Sequence, residues 1–287
     1  MKEMIKKNKI VVAFSGGRTS GFMCWWLITY MSHLYEFIFV YANTGMEHEK
    51  TLEFVNKVDK LLKLKLIWVE ADIKNGNDAT YTIVDYKTAT RGNKLFMDMA
   101  KIYGIMTHSP FIHCTRELKN RPIRKYCVDY IGRDYRIALG IRYDEFHRVK
   151  NRNDAIYPLA TIGKVNKKEI LDWWAKQPFD LEIEEHQGNC QGCFKKSDKK
   201  LKMLADESPE IFDGFIEMEN KYKFVKSEDE NTERIIYRGF RTAYEVKHNL
   251  KLPNNMLDLD ECAEECGSII SEYESIPIEK NIQGSLF

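Results

Sequence analysis

Two short stretches of this chain hold residue types that do chemistry. The first is Ser15, Gly16, Gly17, Arg18, Thr19 and Ser20, which interrupts an apolar run that begins at Ile10 and resumes at Phe22. Glycines let a ligand approach the backbone, and amides at a helix start point at an anion with the helix dipole behind them. Arg18 and the hydroxyls of Ser15, Thr19 and Ser20 add further donors. The chemistry on offer is phosphate binding, and a tight turn is the plainer alternative. The segment lacks the Gly-Lys-Ser/Thr ending of a Walker loop and the spacing of the dinucleotide fingerprint. The second stretch is Cys190-Gln191-Gly192-Cys193. Two thiolates on a tight turn can share one tetrahedral centre. One such hook supplies only two ligands, and Cys114 and Cys127 are the best additional candidates. Cys114 opens a basic, helix-like segment that favours thiolate. Cys127, between Tyr126 and Val128, reads equally well as a buried thiol. Zinc and iron–sulfur clusters both take thiolates, so ligand type alone leaves the metal open.

Other polar residues carry weaker signals. Arg142, Asp144, Glu145 and Arg148 follow a candidate strand. An arginine fork suits a phosphate or sulfate oxyanion, and surface ion pairing is the alternative. Arg116, Lys119, Arg121, Arg124 and Lys125 form one basic cluster; Lys195, Lys196, Lys199, Lys200 and Lys202 form another beside the cysteine hook. Either suits polyphosphate or nucleic acid, and a solvated helix face explains the second equally well. Trp173 and Trp174 read as core; His113 and His186 lie beside cysteines, where either could be a ligand, with a plain polar role as the favoured reading. Cys262 and Cys266 share a helix face among Glu261, Glu264 and Glu265, whose charge raises a thiol's pKa and points to structural cysteines.

The elements that must position these residues alternate in type. Residues 8–14 read as a buried strand and residues 18–33 as a helix with Phe22, Trp25, Trp26 and Ile28 or Thr29 on its apolar face. A second strand ends in the turn near Asn43. A helix follows with Leu52, Val55, Val58, Leu61 and Leu62 near helical spacing, and then a third strand, "LKLIWVEA". Another strand is expected near 135–141 and a helix after Asn166, which is a suitable cap. This order predicts an α/β, Rossmann-like open parallel sheet with helices on both faces. After about residue 185, cysteines, lysines and acidic helical stretches take over. The expected division is an α/β domain over 1–185 and a mainly helical, cysteine-containing part over 186–287 with a flexible tail.

The totals bound the possibilities. A chain of 287 residues holds one large domain or two smaller ones. Charged residues make up 30% and balance to +1, so no global field favours a polyanion. The basic start precedes an apolar run too short for a signal core or a membrane span. The expectation is a soluble, cytoplasmic protein with no membrane partner. Seven cysteines then point to metal or redox chemistry or to buried thiols rather than a disulfide framework.

These segments together resemble a known family. "SGGRTS" resembles the PP-loop of the adenine nucleotide alpha-hydrolase superfamily. "VYANTGMEHEKTLEFV", "HCTRELKNRPIRKY", "ALGIRYDEFHR" and "GNCQGCFKKS" are similar, in that order, to segments of phosphoadenosine phosphosulfate (PAPS) reductases and their phage and bacterial relatives. The resemblance covers roughly residues 8–203. It implies a nucleotide site built from residues 15–20 together with Asn43, Thr44, Gly45, Glu47, Lys119, Gly140 and Arg142, with Arg142, Glu145 and Cys266 as catalytic candidates. Many members carry Asp where Thr19 stands, so a metal contact of that Asp does not transfer; magnesium remains a candidate companion of the phosphates. The resemblance also implies a [4Fe–4S] cluster on Cys114, Cys190 and Cys193, with Cys127 as a possible fourth ligand and zinc as the alternative. Glu265-Cys266-Gly267 resembles the segment bearing the reductases' nucleophile, but Ser268 and Ile269 replace the usual Leu-His.

The function implied is a PP-loop enzyme that takes ATP, PAPS or a related adenylyl nucleotide for sulfur transfer or nucleic-acid (DNA) modification. A true PAPS reductase that releases sulfite and an inert nucleotide sensor are the alternatives. Gln283, Gly284, Ser285, Leu286 and Phe287 resemble the bacterial sliding-clamp-binding pentapeptide, with Gly284 in place of its Leu. That adds a sliding clamp to the expected partners, beside nucleotide and nucleic acid.

Overall fold

The computed structural model describes residues 8–74, 80–104, 113–188, 190–225, 237–238 and 241–252. Cys262, Cys266 and the clamp-like tail lie outside the described residues. The N-terminal half alternates strand and helix: β1 (Asn8–Ala13), α1 (Arg18–Met31), β2 (Tyr35–Ala42), α2 (Glu49–Leu62), β3 (Ile67–Asp72) and β4 (Thr80–Val84). Then come α3 (Lys94–Tyr103), a wide π-helical turn at Cys114–Asn120 that runs directly into α4 (Arg121–Tyr130), β5 (Arg136–Ala138), β6 (Ala155–Ile156) and α5 (Lys167–Trp174). The remaining α-helices among the described residues are α6 (Asp198–Glu207), α7 (Asp213–Tyr222) and α8 (Ala243–Lys247).

The strand order is β4-β3-β2-β1-β5-β6. All neighbours run parallel except β3 and β4. The expected parallel sheet therefore gains an antiparallel edge, because the short β3–β4 connection leaves no room for a crossover. β1 lies at the centre, and Ile10, Val11, Val12, Ala13 and Phe14 are all buried. A strand covered on both faces reads as an unbroken apolar run, which is what this one does. Ile10, Val12 and Phe14 pack with α1, α2 and α5, whereas Val11 and Ala13 pack with α4. Helices thus cover both faces.

The helix faces differ in detail from the pattern expected. In α1 the buried residues are Ser20, Gly21, Phe22, Met23, Cys24 and Leu27, and Trp25 and Trp26 are only partly covered. In α2, Phe54 joins Leu52, Val55 and Val58 in the core and Leu61 is exposed, since the helix rolls toward Trp174 and Phe179. Asn166 caps α5: its side chain accepts from the Glu169 amide at 3.1 Å, and Glu169 returns the bond at 2.9 Å. Such a cap contributes about 1 kcal/mol. Trp174 is fully buried, and its indole donates to the Arg18 carbonyl at 2.9 Å, which pins the start of α1.

A third apolar cluster joins α3, α6, α7 and α8. It also takes Met46, Ala71, Cys114 and Leu118, so it runs across residue 185 and ties the later helices to the loops at the carboxyl ends of β2 and β3.

Candidate functional site

β1 pairs with β2 on one side and β5 on the other, so the chain leaves this centre in opposite directions. A crevice at such a switch point, outside the carboxyl ends of the strands, is where open α/β sheets bind ligands. The loop after β1 is residues 14–17. Gly16 has φ +85°, and a Cβ there would stand 2.9 Å from the Thr51 methyl, so only glycine fits. Ser20 folds back into the loop. Its hydroxyl donates to the Gly17 carbonyl at 3.0 Å and accepts from the Ser15 amide at 3.2 Å and the Ser15 hydroxyl at 2.9 Å. No side chain caps α1, and its first turn holds no acidic residue. The helix start is therefore left as an amide-lined, partly positive end.

The loop after β5 closes on this one. Gly140 stands so near Ser20 that a Cβ would lie 3.5 Å from the Ser20 Cα. Arg142 is buried, and its guanidinium donates to the Thr19 hydroxyl at 3.4 Å. Asp144 and Glu145 hold the same guanidinium at 3.2 and 3.4 Å, and Glu145 also pairs with Arg148. Arg142 thus joins a fixed ion-pair network and reaches the glycine loop at the same time. Arg18 is placed differently from expectation. Its guanidinium is bound to the Asp180 carboxylate at 2.8 Å and to the Leu181 carbonyl.

The turn after β2 forms the other wall. Asn43 is fully buried and donates to Glu70 at 2.5 Å and to the Thr90 carbonyl at 2.9 Å. Glu70 also accepts from the Thr90 amide at 2.6 Å and the Thr90 hydroxyl at 2.8 Å. Gly45 has φ +82°, and a Cβ there would meet the Gly92 carbonyl at 2.5 Å; the Gly92 amide donates to the Gly45 carbonyl at 2.7 Å. Three buried polar atoms in this region, the Tyr41 hydroxyl, Asn43 Oδ1 and Thr51 Oγ1, have no hydrogen-bond partner among the described residues. Such groups cost roughly 1–3 kcal/mol each when left unpaired. Burial, with the charges of Glu47, Cys190 and Glu70, pushes the Tyr41 hydroxyl well above its ordinary pKa.

The cysteine hook meets this wall directly. Glu47 and Cys190 form an isolated antiparallel bridge, and the Gln191 amide donates to the Met46 carbonyl at 2.6 Å. The Thr44 hydroxyl donates to Glu47 at 2.7 Å and lies 3.4 Å from the Cys190 sulfur, whose thiol lies 3.7 Å from the same carboxylate. A small cavity is lined by Thr44, Cys114, Lys119, Cys190 and Cys193 together with phenylalanines. Lys119 reaches it because the π-helical turn brings residues five apart onto one side. Three thiols around one space are the ligand type a thiophilic metal takes. Among the described residues, no group of three or more His, Cys, Asp or Glu side chains is placed so that it could hold a metal ion.

Other candidates fall elsewhere. Cys127 sits in the core between the sheet and α4, apart from the hook, and burial pushes its thiol up to about 12. His113 stacks on Tyr103 and bonds to Arg116, and His186 bonds to Glu207 at 2.6 Å. Arg116 and Arg121 hold the buried Glu117, Lys196 donates to the Gly188 carbonyl, and Lys200 and Lys202 pair with Glu185 and Asp206. Much of the basic character is therefore structural. Glu70 and Thr90 went unnoticed in the sequence, although a carboxylate inside the apolar "LIWVEA" run is a signal, since it must find donors.

Comparison with known proteins agrees with this geometry. Residues 9–153 match the family described as phosphoadenosine phosphosulfate reductase domain. The chain is also 36% identical over 238 residues to an uncharacterized nin region protein, ORF290, of Escherichia phage lambda, covering 80% of each chain. No helix among the described residues is long and apolar enough to cross a membrane. With its glycine loop at the switch point of a six-stranded α/β sheet, the chain belongs to the phosphoadenosine phosphosulfate reductase domain family, a branch of the PP-loop nucleotide-binding enzymes.

Proposed function

We propose that this protein binds ATP or a related adenylyl nucleotide in the crevice between the β1 and β5 loops and uses it in sulfur transfer, with nucleic acid as the acceptor. One observation carries the reading: Thr44 and Glu47 of the second-strand turn are hydrogen-bonded into the same cluster as Cys190, and Thr44 and Lys119 line a cavity with three cysteines. Thr44 therefore links the proposed nucleotide wall to the thiol cavity.

The roles follow from the chemistry of each group. The amides at the start of α1 hold phosphate oxygens without bringing in an opposing charge. Arg142, locked by Asp144 and Glu145, presents a cation at the Thr19 side of the loop, where negative charge develops as a phosphate leaves. Glu145 positions Arg142. Asn43 and Gly45 fix the turn that carries Thr44 and Glu47. Cys114, Cys190 and Cys193 are the residues that would hold a [4Fe–4S] cluster, with zinc as the alternative, and Lys119 lines the same cavity. When bound, such a cluster supplies electron transfer and, with only three protein ligands, one iron open to a sulfur ligand. Cys127 is left out of this set because it lies in a separate core.

The test is anaerobic purification of the full chain followed by iron, sulfide and zinc analysis and an assay of ATP turnover. Roughly four irons and as many sulfides per chain are expected, with AMP and pyrophosphate released from ATP. Zinc without sulfide would replace the cluster by a zinc site. Neither metal would remove the thiolate part of the reading. Nucleotide binding without turnover would leave a sensor, and sulfite release from PAPS with a thiol reductant would identify a reductase.

A further inference from the structure

The hook is held from behind by a segment more than forty residues later in the chain. Tyr237 is buried, and its hydroxyl donates to the Gly192 carbonyl inside the Cys-x-x-Cys turn. Gly192 has φ +63°, and a Cβ there would lie 2.8 Å from the Phe215 ring, so this turn has no slack on that side. Arg238 donates to the Phe194 carbonyl at 2.9 Å and to the Lys196 carbonyl. Within the turn, the Cys193 amide donates to the Cys190 carbonyl at 3.2 Å, and the Lys196 amide to the Cys193 carbonyl at 3.0 Å.

The holding segment is itself firmly placed. Glu219 of α7 accepts from the Tyr237 amide at 2.6 Å with one oxygen and from the Ala243 amide at 2.7 Å with the other. Arg238 and Arg241 exchange backbone hydrogen bonds at 2.8 and 2.9 Å. Arg241, almost wholly buried, pairs with Asp198 at 2.7 Å, and Arg238 lies 3.5 Å from the other oxygen of that carboxylate. The Tyr237 ring packs against Phe212 and Phe215. Tyr237 and Arg238 act on the carbonyls of the turn that bears the thiols.

We infer that Tyr237 and Arg238 are positioning residues for the thiolate site: by tying down the carbonyls of Gly192, Phe194 and Lys196 they fix the turn so that Cys190 and Cys193 both face the cavity shared with Cys114. The inference rests on the metal-binding reading of that cavity. A turn of four residues has several accessible shapes, and only some direct both sulfurs to one side. Hydrogen bonds from groups anchored on α6 and α7 select among those shapes before metal arrives, and outer groups of this kind typically change metal affinity by about 10–100-fold.

The test uses the full chain with Tyr237→Phe, which removes one hydroxyl and keeps the ring. Zn2+ affinity is measured by competition with a chromophoric chelator, and iodoacetamide labelling of Cys190 and Cys193 is followed in the metal-free protein by mass spectrometry. The expected results are about 10–100-fold weaker Zn2+ binding and severalfold faster labelling. Val246→Ala, a truncation in the same core that leaves the carbonyl contacts alone, serves as the control and should lower the melting temperature while keeping Zn2+ affinity. Should Tyr237→Phe fail to fold, Arg238→Gln carries the same expectation. Wild-type affinity and labelling in the folded variant overturn the inference, as does an equal loss of affinity in Val246→Ala. Faster labelling in a protein whose wild type binds no metal would uphold the positioning role while removing the metal reading.

Discussion

Replacing Glu70 with alanine is expected to lower stability by on the order of 3 kcal/mol or more and to weaken nucleotide binding at the same time. The carboxylate lies in β3 and is buried. It takes hydrogen bonds from the Asn43 side chain, the Thr90 amide and the Thr90 hydroxyl. Each buried donor left without an acceptor costs roughly 1–3 kcal/mol. For a chain of this size the melting temperature should fall by roughly 6–10 °C. The effect reaches the site because Glu70 is what joins the Asn43 turn to the loop around Thr90, and the Gly92–Gly45 bond continues that junction. Glu70→Gln should recover only part of the loss, since its amide nitrogen would face donors. Thermal unfolding of the two variants checks this. A wild-type melting temperature in Glu70→Ala would mean that the junction carries no stability.

Cys190→Ser should lose nearly all of its metal. Serine keeps the shape of the side chain but offers a hard oxygen in place of a soft thiolate, a poor donor for zinc in a thiolate site or for an iron–sulfur cluster. Loss of a direct ligand should exceed the roughly 10–100-fold loss typical of outer groups. Cys127→Ser is the matching control, because Cys127 lies in a different core cluster from the hook. It should keep full metal content even if burying a hydroxyl lowers its stability. Iron, sulfide and zinc per chain after anaerobic desalting give the answer, and wild-type metal in Cys190→Ser would remove the hook from the site.

How far the sequence reaches is visible in particular elements. β1, α1, β2, α2 and β3 were legible because buried central strands read as apolar runs and the helices between them repeat at helical spacing. β4 escaped because it is a half-exposed edge with no clean alternation, and β6 because it has two residues. The glycine loop was legible as a strand–loop–helix junction, but the binding of Arg18 to Asp180 was not, since 162 residues separate them. The contact between Thr44 and Cys190 spans 146 residues and leaves no local trace. Lys119 illustrates a different barrier. Five residues on from Cys114, an α-helix would turn it about 140° away, and only the wider π-helical turn brings both to one cavity.

The most direct test of nucleotide binding at the switch point is calorimetric titration of the wild type and Gly17→Val with ATP, AMP and PAPS. Gly17 suits this purpose because its backbone is extended, with φ −96° and ψ 166°, and a Cβ there would meet only the Ser15 hydroxyl at 3.9 Å. The variant should therefore fold, with a branched side chain added beside the first amides of α1. Gly16 would not serve, since its positive φ and the Thr51 methyl make any substitution a folding defect. The account predicts saturable binding of at least one of the three nucleotides to the wild type and its loss in Gly17→Val at an unchanged fold. No binding of any of them to the wild type, or equal binding by folded Gly17→Val, would contradict it.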